Sequence, residues 1–225
     1  MKAAHILDAA EDLLTRYGYR RVTVDEVARG AGVGKGTVYL YWPSKRELFA
    51  AVLTRDAARL LSDQLTAMLT DPAEVLPHRS MRWTYLAIMD RPLAKALYTG
   101  DSALLGDLTT ASRSGALFAA GKRETTDRYL SVLHGHGLLS DEPGALLSYR
   151  LSAAVAGSFH LDGTPDTAEF GLTAKADALA TTVRRAFEPA EDPAPAAVRD
   201  AAADMADVYR QWLAELTRSL PREQS

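Results

Sequence analysis

The 225-residue chain contains no cysteine. Disulfide bonds, thiolate zinc sites and cysteine nucleophiles are therefore excluded, and the composition suits a reducing compartment. Long apolar runs are missing too. No stretch approaches the ~18 uninterrupted apolar residues that a membrane span needs, and the first residues lack the apolar core of a signal peptide. Lysine is scarce, 6 against 20 arginines, a bias that nucleic-acid binding and codon usage explain equally well. The net charge is only -3 at pH 7, and 47% hydrophobic content is ordinary for a globular chain. The length suits one large or two small folded units. The expectation is a soluble, cytoplasmic protein.

Placement of charge says more than its sum. Residues 14–46 hold seven basic side chains (Arg16, Arg20, Arg21, Arg29, Lys35, Lys45, Arg46) against Asp25 and Glu26, a balance of +5. The remainder, 47–225, is acidic overall. A small basic end on a larger acidic body suits a polyanionic partner; a solvated charged face accounts for the composition equally well.

Helical periodicity runs almost the whole length. Ile6, Leu7, Ala10, Leu13, Leu14 and Tyr17 share one face of a helix over 3–17, which Gly18 stops. Thr23-Val24-Asp25-Glu26 has the form of a capping box, with Val22 and Val27 at the flanking staple positions, so a second helix covers about 24–30. Gly32 and Gly34 interrupt, and a short third helix covers 35–41. After Pro43, a second box, Ser44-Lys45-Arg46-Glu47, opens a helix free of Gly and Pro to Asp71, about 40 Å long at 1.5 Å per residue. Further helices are predicted over 73–89, 91–111 (broken near Gly100), 115–135, 142–161 and 167–187. Glu188 to Pro195 reads as a linker before a last amphipathic helix over 196–220. No alternating pattern competes, and the fold class is all-α.

Two short helices joined by a Gly-containing turn near the start of such a chain suggest a helix-turn-helix. A helix enters the major groove only if a neighbour packs closely behind it. Val27 and Val33 would form that small core and Gly32 the turn. The third helix then turns Val38 inward and displays Lys35, Thr37, Tyr39 and Tyr41, with the backbones of Gly34 and Gly36 free to approach DNA.

The run Thr23-Val24-Asp25-Glu26-Val27-Ala28-Arg29-Gly30-Ala31-Gly32-Val33-Gly34-Lys35-Gly36-Thr37-Val38-Tyr39-Leu40-Tyr41-Trp42-Pro43-Ser44-Lys45-Arg46-Glu47-Leu48-Phe49 resembles the DNA-binding region of TetR/AcrR-type transcriptional regulators. The match covers about the first fifty residues and keeps both helices, the turn and the start of helix four in register. The resemblance implies that Thr23 bonds a phosphate as well as capping, and that Lys35 and Thr37 contact bases, Lys at guanine O6/N7 and the Thr methyl at thymine. It implies that Gly36 lets the backbone approach, and that Tyr39 and Tyr41 touch phosphate or a thymine methyl. Lys45 would hold a phosphate at the start of helix four. Gly34 departs from the Ser or other polar residue of many members, which puts a contact there in doubt.

In the same family the last two core helices form a four-helix dimer interface. Here they would be 142–161 and 167–187. Ala153, Ala154 and Gly157 permit close approach on the first; Leu172, Ala176, Leu179 and Val183 make a stripe on the second. Ordinary packing within the chain explains both features as well. The resemblance also implies an effector pocket among Trp83, Tyr85, Met89, Tyr98, Phe118, Tyr129, Tyr149 and Phe159, suited to a small, largely apolar or aromatic ligand. The implied division is a DNA-binding domain at 1–46, an effector and dimerisation domain at 47–188, and a linker with an added helix at 189–225. The expected partners are palindromic double-stranded DNA, a second copy and an unidentified effector, with no cofactor, metal or membrane. The expected function is repression relieved by effector; an activator, a ligand-independent regulator, or an enzyme or binder using the body pocket are the alternatives.

Three other patterns carry less. Gly32-Val33-Gly34-Lys35-Gly36-Thr37 lacks the spacing and preceding strand of a phosphate-binding loop. His134 and His136 are two apart, so on a helix they face different ways. Gly157-Ser158-Phe159-His160 lacks the second Gly and the strand of a nucleophile elbow. The sequence contains no catalytic constellation.

Overall fold

The computed structural model describes residues 2–106, 108, 113–162 and 164–221, without the side chains of 113–120 and 122. Among these residues the secondary structure is all helical. The α-helices are α1 (Lys2–Tyr17), α2 (Val24–Gly30), α3 (Lys35–Tyr41), α4 (Lys45–Thr70), α5 (Pro77–Met89), α6 (Pro92–Thr99), α7 (Ser102–Leu105), α8 (Arg113–Gly135), α9 (Ala145–Leu161), α10 (Leu172–Phe187) and α11 (Pro195–Ser219). Short 3-10 turns cover Pro72–Val75 and Pro165–Thr167. No described helix is long and apolar enough to cross a membrane.

Most boundaries follow the sequence pattern, and the departures have local causes. The helix expected over 73–89 is broken at Leu76. Asp71 caps the 3-10 turn by accepting the Ala73 N–H at 3.0 Å, and Pro77, which has no N–H to satisfy, opens α5. The pair expected over 91–111 is α6 and α7, parted at Gly100; residues 107 and 109–111 lie outside the described set. Pro143 and Gly144 delay α9 to Ala145, and α10 begins only after Gly171.

The described residues form two compact units. The first comprises those of Met1–Arg59, Pro92–Gly121 and Leu213–Ser225, so it takes in more chain than the 1–46 segment expected of the head. Its core joins Ile6, Leu7, Ala10 and Leu14 of α1 to Val22, Val24, Val27, Val38, Trp42, Leu48, Phe49 and Val52, with Leu93 and Leu108 added from later chain. Burial of each large member contributes about 1.5–3 kcal/mol. Gly18 ends α1 at φ +75°, and a Cβ there would stand 2.7 Å from the Ala103 carbonyl oxygen. The close approach lets the Tyr19 N–H donate to the Leu104 carbonyl at 2.8 Å. Across the same unit, Arg55 of α4 donates to Asp8 at 2.8 Å and Glu11 at 2.6 Å, and Arg59 reaches Glu11 at 3.0 Å. Three carboxylate contacts thus fasten α1 to the first half of α4.

The second unit comprises Leu60–Arg91 and Lys122–Trp212. In it α5 packs along α10. Tyr85 and Ile88 of α5, Leu130 and Leu133 of α8, Leu151 and Phe159 of α9, Leu179 and Val183 of α10, and Ala201 and Met205 of α11 are all buried. Glu188, expected to begin a linker, is part of this core instead: its side chain is 2% exposed. It accepts the His78 backbone N–H at 2.7 Å and meets His78 Nδ1 at 2.9 Å. The first turn of α5 has no cap from its own N-cap residue, Leu76. A carboxylate from the end of α10 supplies it.

Candidate nucleic-acid interface

Thr23 stands at the N-cap of α2 and closes the predicted box in both directions. Its Oγ1 accepts the Glu26 N–H at 3.3 Å, while its own N–H and hydroxyl each donate to Glu26 Oε2 at 2.8 Å. Those two donated bonds hold the exposed Glu26 carboxyl below its ordinary pKa. The hydroxyl proton is spent on Glu26, so a phosphate contact from Thr23 would have to compete with the box.

The turn between α2 and α3 follows from Gly32. At φ +67° it occupies the left-handed region, letting the Gly32 N–H donate to Arg29 and the Val33 N–H to Ala28 at 2.9 Å. This is a Schellman closure, in which the last carbonyls of α2 are satisfied and the chain is redirected. Val27 and Val38 are then buried in one core, with Val33 packed against it. Gly34 caps α3 through its backbone alone, without a side-chain hydrogen bond. The polar contact expected of a Ser at this position is absent.

On α3, Lys35 is exposed, and its Nζ lies 2.8 Å from Asp25 Oδ2 on α2. That hydrogen bond and the neighbouring negative charge raise the Lys35 pKa, so the ammonium is held charged and pre-oriented. Gly36 has no atom within 4 Å of where a Cβ would stand. Thr37 is half-buried, Tyr39 is 43% exposed, and Tyr41 is half-buried with its ring 5.5 Å from that of Trp42. Lys45 differs from the expectation. Its Nζ donates to the Tyr19 carbonyl at 2.5 Å and lies 4.3 Å from the centroid of the Tyr19 ring. In this conformation it ties the α1–α2 corner to α4 and does not extend to a phosphate. Sequence reasoning missed Asp25 as the partner of Lys35, although opposite charges on adjacent helices were visible. It also missed Leu40, 72% exposed on the same helix.

The residues proposed for an effector divide. Tyr85 and Phe159 are buried in the second unit with ring centroids 5.0 Å apart. The Tyr85 hydroxyl is buried without a hydrogen-bond partner among the described residues, and burial together with the Asp162 charge raises its pKa. Tyr129 is also buried, its hydroxyl donating to the Val75 carbonyl at 2.8 Å, and burial pushes its pKa well up. Trp83 and Met89 are half-buried on α5. Tyr149, at 69% exposure, faces outward and lines no interior. Tyr98 belongs to the first unit, and the side chain of Phe118 lies outside the described residues.

The interface set also divides. Ala153 is exposed, Ala154 and Gly157 are half-buried, and Leu172 is exposed. Ala176, Leu179 and Val183 are buried within the protomer, on the helix that packs along α5. These three belong to the core of one chain, because the apolar stripe of α10 is satisfied internally.

A closed two-helix unit with an exposed second helix, on a basic head, is the architecture of a helix-turn-helix DNA-binding protein. The family model described as bacterial regulatory proteins, tetR family, matches residues 6–52. An uncharacterised HTH-type transcriptional regulator of Mycobacterium bovis is 31% identical over 142 residues, covering 56% of this chain and 75% of the relative. The chain belongs to the tetR family of DNA-binding transcriptional regulators. Solved structures share the fold. The fatty acid degradation regulator FadR of Bacillus halodurans superposes with a TM-score of 0.62 at 19% identity, over 81% of this chain and 94% of that one. AibR, solved with isovaleryl coenzyme A and operator DNA, gives a TM-score of 0.57 at 17% identity, over 81% and 98% of the two chains.

Proposed function

We propose that this regulator is a repressor that binds a palindromic operator as a homodimer and is released by a small, largely apolar effector. The supporting observation for the dimer is α9, which is apolar on two sides. Leu147, Leu151, Val155 and Phe159 are buried, while Leu146, Tyr149, Ala153 and Ala156, spaced three and four apart, form an exposed row. A helix apolar all round calls for a partner on its outer side as well. A second copy of the chain meets that need through a two-fold contact, and it also pairs two recognition helices for a symmetric site. The proposed contact is carried by the exposed members of the predicted set, Ala153 and Leu172, together with Leu146 and Tyr149.

In this reading residues 1–46 are the DNA-binding domain, 47–188 bind effector and dimerise, and 189–225 add the linker and α11. Lys35, Thr37, Tyr39, Tyr41 and the Gly36 backbone face the groove, with Thr23 and Lys45 held in reserve for phosphates once their present bonds are exchanged. The effector enters the second unit beside Tyr85 and Phe159, where the unpaired hydroxyl orients it. A ligand that prefers a conformer with altered head spacing shifts the population away from DNA, with a coupling of about 1–3 kcal/mol. Selection of duplexes from a random pool by the purified chain tests the first half: inverted repeats are expected, and asymmetric sites overturn the dimer reading. Anisotropy of the selected duplex, titrated with isovaleryl coenzyme A and other apolar thioesters, tests the second half. Affinity that stays constant with every ligand shown by calorimetry to bind overturns release.

A further inference from the structure

The recognition helix carries a side chain that neither the packing nor the carried-over roles account for. Leu40 is 72% exposed, matched among the large hydrophobic side chains of the described residues only by Leu146. On a helix of 3.6 residues per turn, successive side chains are about 100° apart. Taking the buried Val38 as the inward direction, Gly36 and Leu40 both fall within about 20° of the opposite direction. Tyr39 and Thr37 sit on the flanks, and Lys35 and Tyr41 lie nearer the core. The outermost ridge of α3 is therefore a bare backbone at Gly36, with open space around it, followed one turn later by an isobutyl group.

This ridge has a definite chemical complement. Base edges in the major groove offer hydrogen-bond donors and acceptors, and one apolar group, the C5-methyl of thymine. The missing side chain at Gly36 lowers the first turn, so α3 can seat deeply enough for the next turn to reach a base edge. Leu40 has no polar atom to pair there, and a cytosine or guanine edge beneath it would be desolvated without compensation. We propose that Leu40 is a specificity-determining residue that reads a thymine methyl in each half-site of the operator. The inference rests on the DNA-binding reading of α3 and adds to it a thymine contact of its own, separate from those carried over to Lys35 and Thr37. Burying one methyl corresponds to about fourfold in affinity, and the two related by symmetry to about fifteenfold.

The test begins with the duplex that the wild-type chain selects from a random pool. Each dT is replaced singly by dU, which removes the methyl and nothing else. The expected result is one position per half-site where replacement weakens wild-type binding about fourfold while leaving Leu40→Ala unaffected. Leu40→Ala and Leu40→Gln should bind the dT duplex about fifteenfold more weakly than wild type, as weakly as wild type binds a duplex carrying dU at both symmetric positions, and Leu40→Met should keep the preference. The exposure of Leu40 predicts an unchanged melting curve for all three variants, read by circular dichroism. A scan in which no dT loses its sensitivity in Leu40→Ala overturns the inference, as does a position whose sensitivity disappears in Thr37→Ser and not in Leu40→Ala when it is the one assigned to Leu40. Failure of the wild type to select any duplex is a separate result, and it overturns the DNA-binding reading as well.

Discussion

Replacement of Glu188 tests whether two distant ends of the second unit are tied by one buried carboxylate. The side chain is 2% exposed and meets His78 three times: from the backbone N–H at 2.7 Å, and from Nδ1 to each oxygen at 2.9 Å. Arg184 approaches at 3.4 Å, too far to replace either bond. Glu188→Ala removes the cap of α5, which is the bond from the His78 N–H, about 0.5–2 kcal/mol, and leaves the half-buried His78 imidazole without its carboxylate, about 1–3 kcal/mol. Relaxation will recover part of that sum, so a loss of about 3 kcal/mol is expected, at the lower end for broken buried pairs. Glu188→Gln keeps a carbonyl oxygen for the His78 N–H and should cost about 1 kcal/mol. Equilibrium unfolding in urea, followed by circular dichroism, reads the difference. With a slope of about 2–3 kcal/mol per molar, the Ala variant's midpoint should fall by about 1 M. An Ala variant within about 0.5 kcal/mol of wild type, or a Gln variant equally damaged, would refute the reasoning.

Three further outcomes are expected. Asp25→Asn frees Lys35 from its ion pair, so affinity for duplexes of any sequence should rise and its salt dependence steepen, read by anisotropy over a range of salt concentrations; Lys35→Ala should act in the opposite sense. Burial keeps Tyr129 protonated in the folded chain well above the ordinary tyrosine pKa of about 10. Its contribution is whole below that pH and declines as the medium becomes more alkaline, because only the unfolded chain ionises there. Tyr129→Phe should flatten this decline in urea unfolding between about pH 9 and 11, and an unchanged slope would exclude Tyr129 as its source. Leu146→Glu places a charge in the exposed row of α9 and should convert a dimer to a protomer in sedimentation without loss of helical signal. A persisting dimer would move the contact elsewhere.

The first fifty residues were legible because their structure is local. The Thr23–Glu26 box, the Gly32 turn and inward Val38 each depend on residues within a few positions, so spacing alone specifies them. What spacing could not reveal was pairing over distance. The stripe Ala176, Leu179, Val183 has the same periodicity whether it meets α5 or a second chain, and only the fold decides that it is buried at home. Glu188 looked like the first residue of an acidic linker because its partner, His78, lies 110 positions earlier. Lys45 was legible as a cation at a helix start, yet Tyr19 claims it through a carbonyl and a ring that no local motif announces.

The clasp made by Arg55 and Arg59 on Asp8 and Glu11 bears on how a message would reach DNA. A shaft drives a tool only when nothing slips at the collar, and here α1 is keyed to α4 by charged contacts on top of an apolar seam. In the proposed effector response, a displacement of the first half of α4 would be shared with α1 through these contacts, and with α2 and α3 through their common core. Loosening the collar, as by Arg55→Met, should leave grip on the operator largely intact while deafening the head to effector.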